Sequence, residues 1–300
     1  MKSTKLTRLF STAAVLGALA TPAVAQEGED GIWLPGVSAE VTLDYVTQYF
    51  FRGYEQQDSD QGLVLQPGAS FTIDVVDDVT ATVGTWHSIH TDSPTGTSNP
   101  SSWYEADVYA GLDATMGDFS AGLYVNTYTY PANATSSVVE LAVTVTYDDS
   151  ELLGDYAFAP TVTVATELNN TNTLNGGTEA TYLELSGAFT IPTEGTAIEA
   201  WSWSVPFAIG LSIDDYYVDG TGGGGASGAE EFFGFLSIGV AGSIPMSELI
   251  GTEEYVGAWD LTVGLTVLFL NSDIPGQVDN ADDTGDNFQI VGTVGISREW

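Results

Sequence analysis

Residues 287–300 have the sequence NFQIVGTVGISREW, in which apolar and polar positions alternate. Apolar residues or glycine occupy every even position from Phe288 to Ile296, and polar side chains recur between them, as at Gln289 and Thr293. Successive side chains of a β-strand point to opposite faces, so this segment predicts a strand with one apolar face and one polar face. That pattern is typical of a strand with one face in lipid and the other in water.

The end of this segment indicates where such a strand belongs. The strand is followed by Trp300, and the chain resembles bacterial outer-membrane β-barrels, in which an amphipathic C-terminal strand that closes on an aromatic residue serves as the assembly signal. Arg298 lies on the apolar parity, but near Trp300, where a long side chain can reach the membrane interface. We therefore expect Trp300 to act as an assembly signal.

The N-terminal residues have the pattern of a secretory signal peptide. A basic region with Lys2, Lys5 and Arg8 precedes an apolar segment at residues 9–20, and Ala23-Val24-Ala25 supplies a small-residue cleavage site. The apolar segment is too short to cross a bilayer, and no later segment approaches about 18 uninterrupted apolar residues. We therefore expect export and no transmembrane helix.

Segments of strand length repeat along the rest of the chain. We expect residues 1–25 to be removed, residues 26–37 to form a periplasmic segment and residues 38–300 to form the barrel. The predicted fold class is all-β, a single antiparallel transmembrane up-and-down β-barrel of about 12 strands. The predicted strands are Ser38–Arg52, Leu63–Val76, Val79–His90, Trp103–Thr115, Phe119–Tyr130, Ser137–Tyr147, Tyr156–Glu167, Thr178–Ile191, Trp201–Ile213, Glu230–Ile244, Ala258–Leu270 and Asn287–Trp300.

The connections between these segments support a barrel. Asp77-Asp78 and Met116–Asp118 are tight turns, whereas most alternate connections are longer, and outer-membrane barrels have short periplasmic turns and long external loops. Two connections depart from this alternation. Pro131–Ser136 is short, and Pro245–Gly257 is long, with one helical turn expected at residues 246–250. The strand number is therefore open by one hairpin.

A water-soluble β-sandwich is the main alternative, because its strands also have one apolar face. Two features favour the barrel: nearly every strand has a large apolar face, and aromatic residues cluster near predicted strand ends, as interfacial girdles do. Within the first strand, Tyr49 and Phe51 are predicted to face outward. The aromatic residues near predicted strand ends are Tyr49, Phe50, Phe51, Tyr54, Trp103, Tyr104, Tyr128, Tyr130, Trp201, Trp203, Phe232, Phe233 and Trp259.

Charge and cysteine content exclude several classes of function. The chain has no cysteine, so neither disulfides nor thiolate chemistry are available. Its formal net charge is −36, and after signal removal Arg52 and Arg298 are the basic residues that remain against 41 acidic ones. Nucleic acids are therefore poor partners. Two interpretations stay open, a solvated acidic surface suited to salty water or a field that attracts cations and repels anions.

One stretch resembles a known family. Residues 43–54 have the sequence LDYVTQYFFRGY, and residues 61–67 continue with QGLVLQP. This is similar to the opening of the TorF-like porins, also described as the Gcw_chp family, in which a first strand ends in aromatic-Arg-Gly and a short loop leads to a second strand with Gln-Pro or a similar pair. The resemblance implies an outer-membrane barrel with channel function, and it implies no particular substrate.

Polar residues on the inward parity of the predicted strands are the candidates for lining a pore. They are Arg52, Glu40, Asp44, Asp74, Glu105, Asp107, Glu140, Glu184 and Asp260. Arg52 is the basic residue in the body of the barrel, so it can either bond wall carboxylates or act as a constriction residue that faces solute. We favour the first role, since a lone cation among many acids should be satisfied internally.

Catalytic and metal-binding patterns are weak. Residues 279–286 are rich in oxygen ligands, but Ala281 occupies a ligand position of the EF-hand pattern, so we expect a hydrated acidic loop and no metal site. Ser88 lies between His87 and His90, yet Ser88 and His87 have opposite parities and would face opposite sides of a strand. We therefore expect no enzymatic activity and no cofactor, with both histidines as polar residues near the external rim.

Together these patterns predict a protein of the outer membrane of a diderm bacterium. The first functional hypothesis is a porin for passive diffusion of small solutes through an acidic, cation-preferring lumen, because about 12 strands enclose more space than the eight that side chains can fill. The alternative is a non-conducting structural or surface-interaction barrel. The expected partners are outer-membrane lipid, the outer-membrane assembly machinery, and small solutes or cations.

Deletion of Trp300 should reduce insertion, because the aromatic end of the last strand is the expected assembly signal. Protease protection of the full-length and truncated chains in isolated outer membranes measures this effect, and the truncated chain should accumulate as protease-sensitive periplasmic material. Equal insertion of the two chains would contradict the assembly role of Trp300.

Overall fold

The computed structural model describes residues 35–57, 62–91, 102–131, 136–169, 179–219, 229–250, 258–274 and 287–300. Its strands are β1 (Val37–Val46), β2 (Tyr49–Phe51), β3 (Tyr54–Gln57), β4 (Val64–Val76), β5 (Val79–His90), β6 (Trp103–Met116), β7 (Phe119–Thr129), β8 (Val138–Tyr147), β9 (Thr161–Glu167), β10 (Thr181–Ile191), β11 (Ser202–Asp214), β12 (Phe233–Pro245), β13 (Asp260–Leu270) and β14 (Phe288–Glu299). β1 and β4–β14 form a closed antiparallel barrel of 12 strands, and β2 and β3 form a separate sheet. The predicted fold class and strand number are confirmed, whereas the predicted signal peptide lies outside the described residues.

The first and last strands close the barrel. Glu40 pairs with Glu299, and Tyr45 pairs with Val294, along β1 and β14. Just beyond this pairing, Ala39 and Trp300 exchange two backbone hydrogen bonds, with N–O distances of 3.2 and 2.9 Å. The register shifts at four places around the wall, as between Ser88 and Ile89, and each barrel strand still pairs with both of its neighbours.

The outer surface of the wall is apolar. An exposed apolar band of this extent marks a surface in contact with lipid, and a sandwich would instead bury it between two sheets. The predicted lipid-facing parity is therefore confirmed, and the β-sandwich is wrong. Each barrel strand contributes to the band, with exposed side chains at Leu43, Phe71, Val83, Val108, Leu123, Val143, Val162, Leu185, Ile213, Ile238, Leu265 and Ile290.

The two ends of the barrel differ. The end where β1 begins and β14 finishes, called the inner end here, contains the tight turn Asp77-Asp78 and the turn at Gly117. Asp78 and Gly117 have φ of 63° and 62°, the sign that tight hairpin turns require. The opposite end, called the outer end, receives the connections that follow β1, β5, β7, β9, β11 and β13, parts of which lie outside the described residues.

Two connections at the inner end contain short helices. Helix α2 (Met246–Ile250) confirms the helical turn predicted there. Helix α1 (Ser150–Leu153) and the 3-10 turn Gly154–Tyr156 precede β9, which therefore begins later than the predicted strand Tyr156–Glu167. No helix in the described part of the chain is long and apolar enough to cross a membrane.

The first predicted strand is too long. β1 ends at Val46, whereas the prediction extended it to Arg52. Thr47 completes the ladder with β14, because its N–H donates to Gly292 O at 3.0 Å and its hydroxyl accepts from Gly292 N at 2.9 Å. The chain then enters the barrel, where β2 and β3 pair with each other. Tyr49 and Phe51 keep the outward parity of Leu43 and Tyr45 after this change of direction, so the parity of these residues does not mark the end of the wall strand.

Several aromatic residues predicted at the membrane interface lie inside the barrel instead. Tyr49 and Phe51, predicted to face outward, are buried there, while Trp103 and Phe233 are exposed on the outer wall. An aromatic side chain near a strand end can lie at the lipid interface or inside a filled lumen. The residue type alone therefore does not show in which of these two environments it lies. The buried members of the predicted set are Tyr49, Phe50, Phe51, Tyr54, Tyr104 and Tyr128.

Replacing Leu265 with arginine should destabilise the barrel, because Leu265 is 55% exposed on the lipid-facing parity of β13. Arginine at the bilayer midplane costs about 2–4 kcal/mol. The matched variant Thr262→Arg places the same side chain on the interior face, where Thr262 now donates to Asp44 at 3.3 Å, and it should lose less. Urea unfolding free energies in vesicles measure both effects, and equal losses would contradict the assigned faces.

Candidate functional site

The plug hairpin, defined as residues Tyr49–Gln57, lies inside the barrel at its outer end. Its strands β2 and β3 are joined by Arg52-Gly53, whose φ values are 49° and 84°. Two residues with positive φ form the tight turn of a two-residue hairpin. Glycine adopts this conformation freely, whereas a non-glycine residue there costs of order 1–3 kcal/mol and persists only when its surroundings hold it.

Arg52 provides the ionic contact between the plug hairpin and the wall. Its Nη1 and Nη2 donate to Glu140 Oε2 and Oε1 at 2.6 and 2.9 Å, and both side chains are at most 2% exposed. Glu140 is on β8, five strands from β1 around the ring of 12, so the pair spans the interior. The guanidinium also lies 4.2 Å from the centre of the Tyr182 ring. Removing one partner of such a buried pair costs about 3–5 kcal/mol.

A second set of contacts attaches the plug hairpin to β5 and β6. Tyr49 OH donates to Glu105 Oε2 at 2.8 Å, and Tyr104 OH donates to Gln56 Oε1 at 2.6 Å. The Tyr49 ring packs on Trp86, with ring centres 5.5 Å apart. Glu105 is buried, so loss of the Tyr49 hydroxyl would leave its carboxylate with one donor fewer in a site that water does not reach.

The connection after β11 contacts the plug hairpin from another side. Tyr54 OH donates to the carbonyl oxygen of Tyr216 at 3.0 Å, and Tyr217 OH donates to that of Arg52 at 2.9 Å. Arg52 Nη1 also donates to Tyr216 OH at 3.2 Å. Burial raises the pKa of the Tyr216 phenol, so it stays neutral beside the guanidinium. The hairpin is thus held by β8 and β10, by β5 and β6, and by the connection after β11.

The predicted lumen residues fall into two groups and do not form one ring. At the outer end lie four buried carboxylates, of which Glu140 bonds Arg52, and they are called the outer acids: Glu105, Asp107, Glu140 and Glu184. Glu184 accepts a hydrogen bond of 2.7 Å from Tyr182 OH and so lies beside the Arg52 site. The other four lie on the inward parity nearer the inner end and are called the inner acids: Glu40, Asp44, Asp74 and Asp260. Of these, Asp44 is buried and Glu40 and Asp74 are exposed.

Sequence reasoning missed several residues that contact or neighbour Arg52. Tyr182 and Glu167 lie on the inward parity of β10 and β9, and Glu167 is the register partner of Glu140, so the period-2 pattern could have found both. Tyr216 and Tyr217 belong to a connection without periodicity. Their role follows only from the three-dimensional contacts.

Short polar side chains line much of the interior between the plug hairpin and the inner end. Two tyrosines on this face lie along the wall, because Tyr109 rests over Gly84 and Tyr124 over Gly111, where a Cβ would collide with the rings. These rings therefore do not extend across the interior. Threonine hydroxyls lie within hydrogen-bond distance across neighbouring strands at Thr72–Thr82, Thr144–Thr163 and Thr146–Thr161.

The serine and histidines of β5 are divided between the two faces. His87 faces outward beside Trp103, with ring centres 5.4 Å apart. Ser88 Oγ and His90 Nε2 lie 2.9 Å apart in the interior, and the His90 ring stacks on Tyr104. Both histidines were predicted to be polar residues near the external rim, and His90, the last residue of β5, lies at the outer end but is buried there against Tyr104. Within the described ranges no group of three or more His, Asp or Glu could hold a metal ion, and residues 279–286 lie outside them.

The variant Glu140→Gln should lower the free energy of unfolding by about 3–5 kcal/mol, because it leaves the Arg52 charge buried without its partner. Glu40→Gln is the matched control, since it makes the same change at an exposed interior position, and it should change stability by less than about 0.5 kcal/mol. Urea titration in vesicles, followed by tryptophan fluorescence, measures both. Equal losses would contradict the importance assigned to the pair.

Several solved structures are similar to this chain at low sequence identity and with TM-scores below 0.5. An outer membrane channel from Pseudomonas putida F1 is 10% identical over 91% of this chain and 100% of that chain, with a TM-score of 0.47. The NanC porin is 9% identical over 86% of this chain and 98% of that chain, with a TM-score of 0.45. The translocator domain of the autotransporter NalP from Neisseria meningitidis is 11% identical over 87% of this chain and 86% of that chain, with a TM-score of 0.36.

The family comparison concerns the sequence itself. Among curated proteins, none matches the chain. Residues 35–224, which include β1, the plug hairpin and every strand through β11, match a family described as "Bacterial protein of unknown function (Gcw_chp)". Because the match covers more than half of the chain, the protein belongs to the Gcw_chp family.

Proposed function

We propose that this protein is an outer-membrane channel for small solutes whose lumen is closed at the outer end by the plug hairpin. The observation that carries the proposal is the bidentate Arg52–Glu140 contact across the interior. The plug hairpin is not part of the wall ladder, so it can move without opening the barrel. Passage of solute then requires that its side-chain contacts break, as in other gated sites.

The lining of the inner half supports conduction. Eight-stranded barrels are filled by their own side chains, and this ring of 12 strands encloses more space. Threonine and glycine are common on the inward face there, and the tyrosine rings lie along the wall. A barrel with a purely structural role has no need of a polar interior of this kind.

We further propose that the passage favours cations. The inner acids share the inward parity with Asp113 and Glu299. No basic residue of the described inner end faces this interior, since Arg298 pairs with Val41 on the outward parity. A narrow passage with low-dielectric walls focuses such a field, which concentrates cations and excludes anions. Of the outer acids, Glu140 contributes less in the closed state, because Arg52 neutralises its charge.

A non-conducting structural or surface-interaction barrel is the second candidate, and the extent of the plug contacts favours it. Tyr49, Arg52, Tyr54 and Gln56 each contact a different group of the wall or of the connection after β11. Opening must break all of these contacts together. If the plug hairpin never leaves, the connections at the outer end are the functional surface.

Planar-bilayer recordings separate the two candidates. The double variant Arg52→Ala/Glu140→Ala removes the pair without leaving a lone charge, so it should spend about tenfold more time in a conducting state than wild type, which corresponds to about 1.4 kcal/mol. Asp155→Ala, in the 3-10 turn after α1, is the control and should behave as wild type. If all three proteins are folded by heat-dependent gel mobility and none conducts, the channel proposal is wrong and the structural barrel is supported.

Reversal potentials in a salt gradient test the cation preference of the same double variant. The preference should be strongest at low ionic strength, because the screening length falls from about 30 Å at 0.01 M to about 3 Å at 1 M salt. Adding Asp44→Asn and Asp74→Asn should reduce it, whereas adding Asp155→Asn should not. An anion-preferring channel, or equal effects of the interior and exterior changes, would contradict the proposed role of the inner acids.

A further inference from the structure

Arg298 lies in an aromatic setting on the lipid-facing side of the inner end. Its Cζ is 4.6 Å from the centre of the Trp300 ring and 5.9 Å from that of Trp259. The two indole rings meet edge to face, with centres 6.3 Å apart. Its register partner on β1 is Val41, an exposed residue of the apolar band. One guanidinium is thus bounded by two tryptophans at the edge of a lipid-facing surface.

One donor of this guanidinium, its Nε, is buried and has no hydrogen-bond partner within the described residues. The neighbouring acids do not meet it on its own face, since Glu299 and Glu40 pair with each other on the inward parity. An arginine carries five donors in a fixed fork and keeps its charge. A phosphate on the lipid side of the wall can accept the hydrogen bond that this Nε does not donate within the described residues.

We propose that Arg298, Trp259 and Trp300 form a binding site for the phosphate of a phospholipid headgroup in the leaflet at the inner end. The fork of the guanidinium matches phosphate oxygens in a bidentate arrangement. Tryptophan is favoured at the level of the headgroups, where its apolar ring contacts acyl chains and glycerol while its N–H remains in a polar layer. The rings also hold the guanidinium in place and lower the entropy lost on binding.

Phosphate explains why a single cation is found on this face of a strongly acidic chain. A charge facing hydrocarbon is expensive, and a long side chain near a strand end avoids that cost by reaching the headgroup layer. At this level the membrane offers a high concentration of anionic phosphate, and each basic side chain near such a surface gains affinity for it. This binding site requires that the barrel lies in a bilayer, and it does not require that the barrel conducts. Absence of conductance would therefore contradict the proposed channel but not the lipid site.

Native mass spectrometry of the full chain, folded in a phosphate-free maltoside detergent, tests the site. The probes are palmitoyl-oleoyl-phosphatidylglycerol, a galactosyl diacylglycerol with the same acyl chains, and inorganic phosphate. We expect Arg298→Gln to weaken phosphatidylglycerol binding by about tenfold, the range of one lost charge-assisted hydrogen bond, and to leave galactolipid binding unchanged. Glu299→Gln is the control at the next residue, on the opposite face, and it should not weaken binding.

Three results would overturn the assignment. The first is equal binding of phosphatidylglycerol to wild type and Arg298→Gln when both are folded by heat-dependent gel mobility. The second is an equal loss of galactolipid binding, which would make Arg298 a packing residue without preference for phosphate. The third is displacement of phosphatidylglycerol by an equal concentration of inorganic phosphate, which would identify a site for the free ion.

Discussion

A buried guanidinium requires a carboxylate, and in this barrel Arg52 meets that requirement through Glu140 on a distant strand. The left-handed backbone of Arg52 and the removal of its charge from water are both unfavourable. The bidentate pair, the Tyr182 ring and the Tyr216 hydroxyl offset those terms together. Because these groups come from β8, β10 and the connection after β11, the side chain of Arg52 alone joins the plug hairpin to three parts of the barrel.

The wall allows this arrangement because its two faces meet different environments. Outward side chains gain stability from lipid and need no partner inside the protein. The interior is therefore free to hold a polar hairpin at the outer end and short polar side chains nearer the inner end. Glycines make room for aromatic rings along the wall, as where Tyr217 rests over Gly234. The same wall thus holds the plug hairpin at one end and short polar side chains toward the other.

Much of the wall could be predicted from the sequence. The period-2 alternation in segments such as Trp201–Ile213 gives the face of each residue, and the turn Asp77-Asp78 fixes the neighbouring register. The plug hairpin could not be predicted in this way, because Tyr49 and Phe51 keep the apolar parity of β1 after the wall has ended at Val46. The cue that decides the matter is Thr47, whose hydroxyl replaces a backbone group in the ladder, and such a contact has no periodic signature. Strand parity could identify Glu140 as a candidate partner of Arg52, because Glu140 lies on the inward face of a strand. It could not identify Tyr216, which lies outside the strands.

Hydrogen exchange of the wild-type protein, read by mass spectrometry over residues 49–57, tests the plug most directly. If the plug hairpin is held inside the barrel, its backbone amide hydrogens should exchange as slowly as those of the neighbouring wall strands, such as β4. The reason is that the two strands of the hairpin pair with each other and are buried away from water. We expect both segments to be protected from exchange in the wild type. In Glu140→Gln the protection should be lost from the hairpin alone. Exchange of residues 49–57 within seconds in the wild type, at the rate of an open loop, would contradict this account.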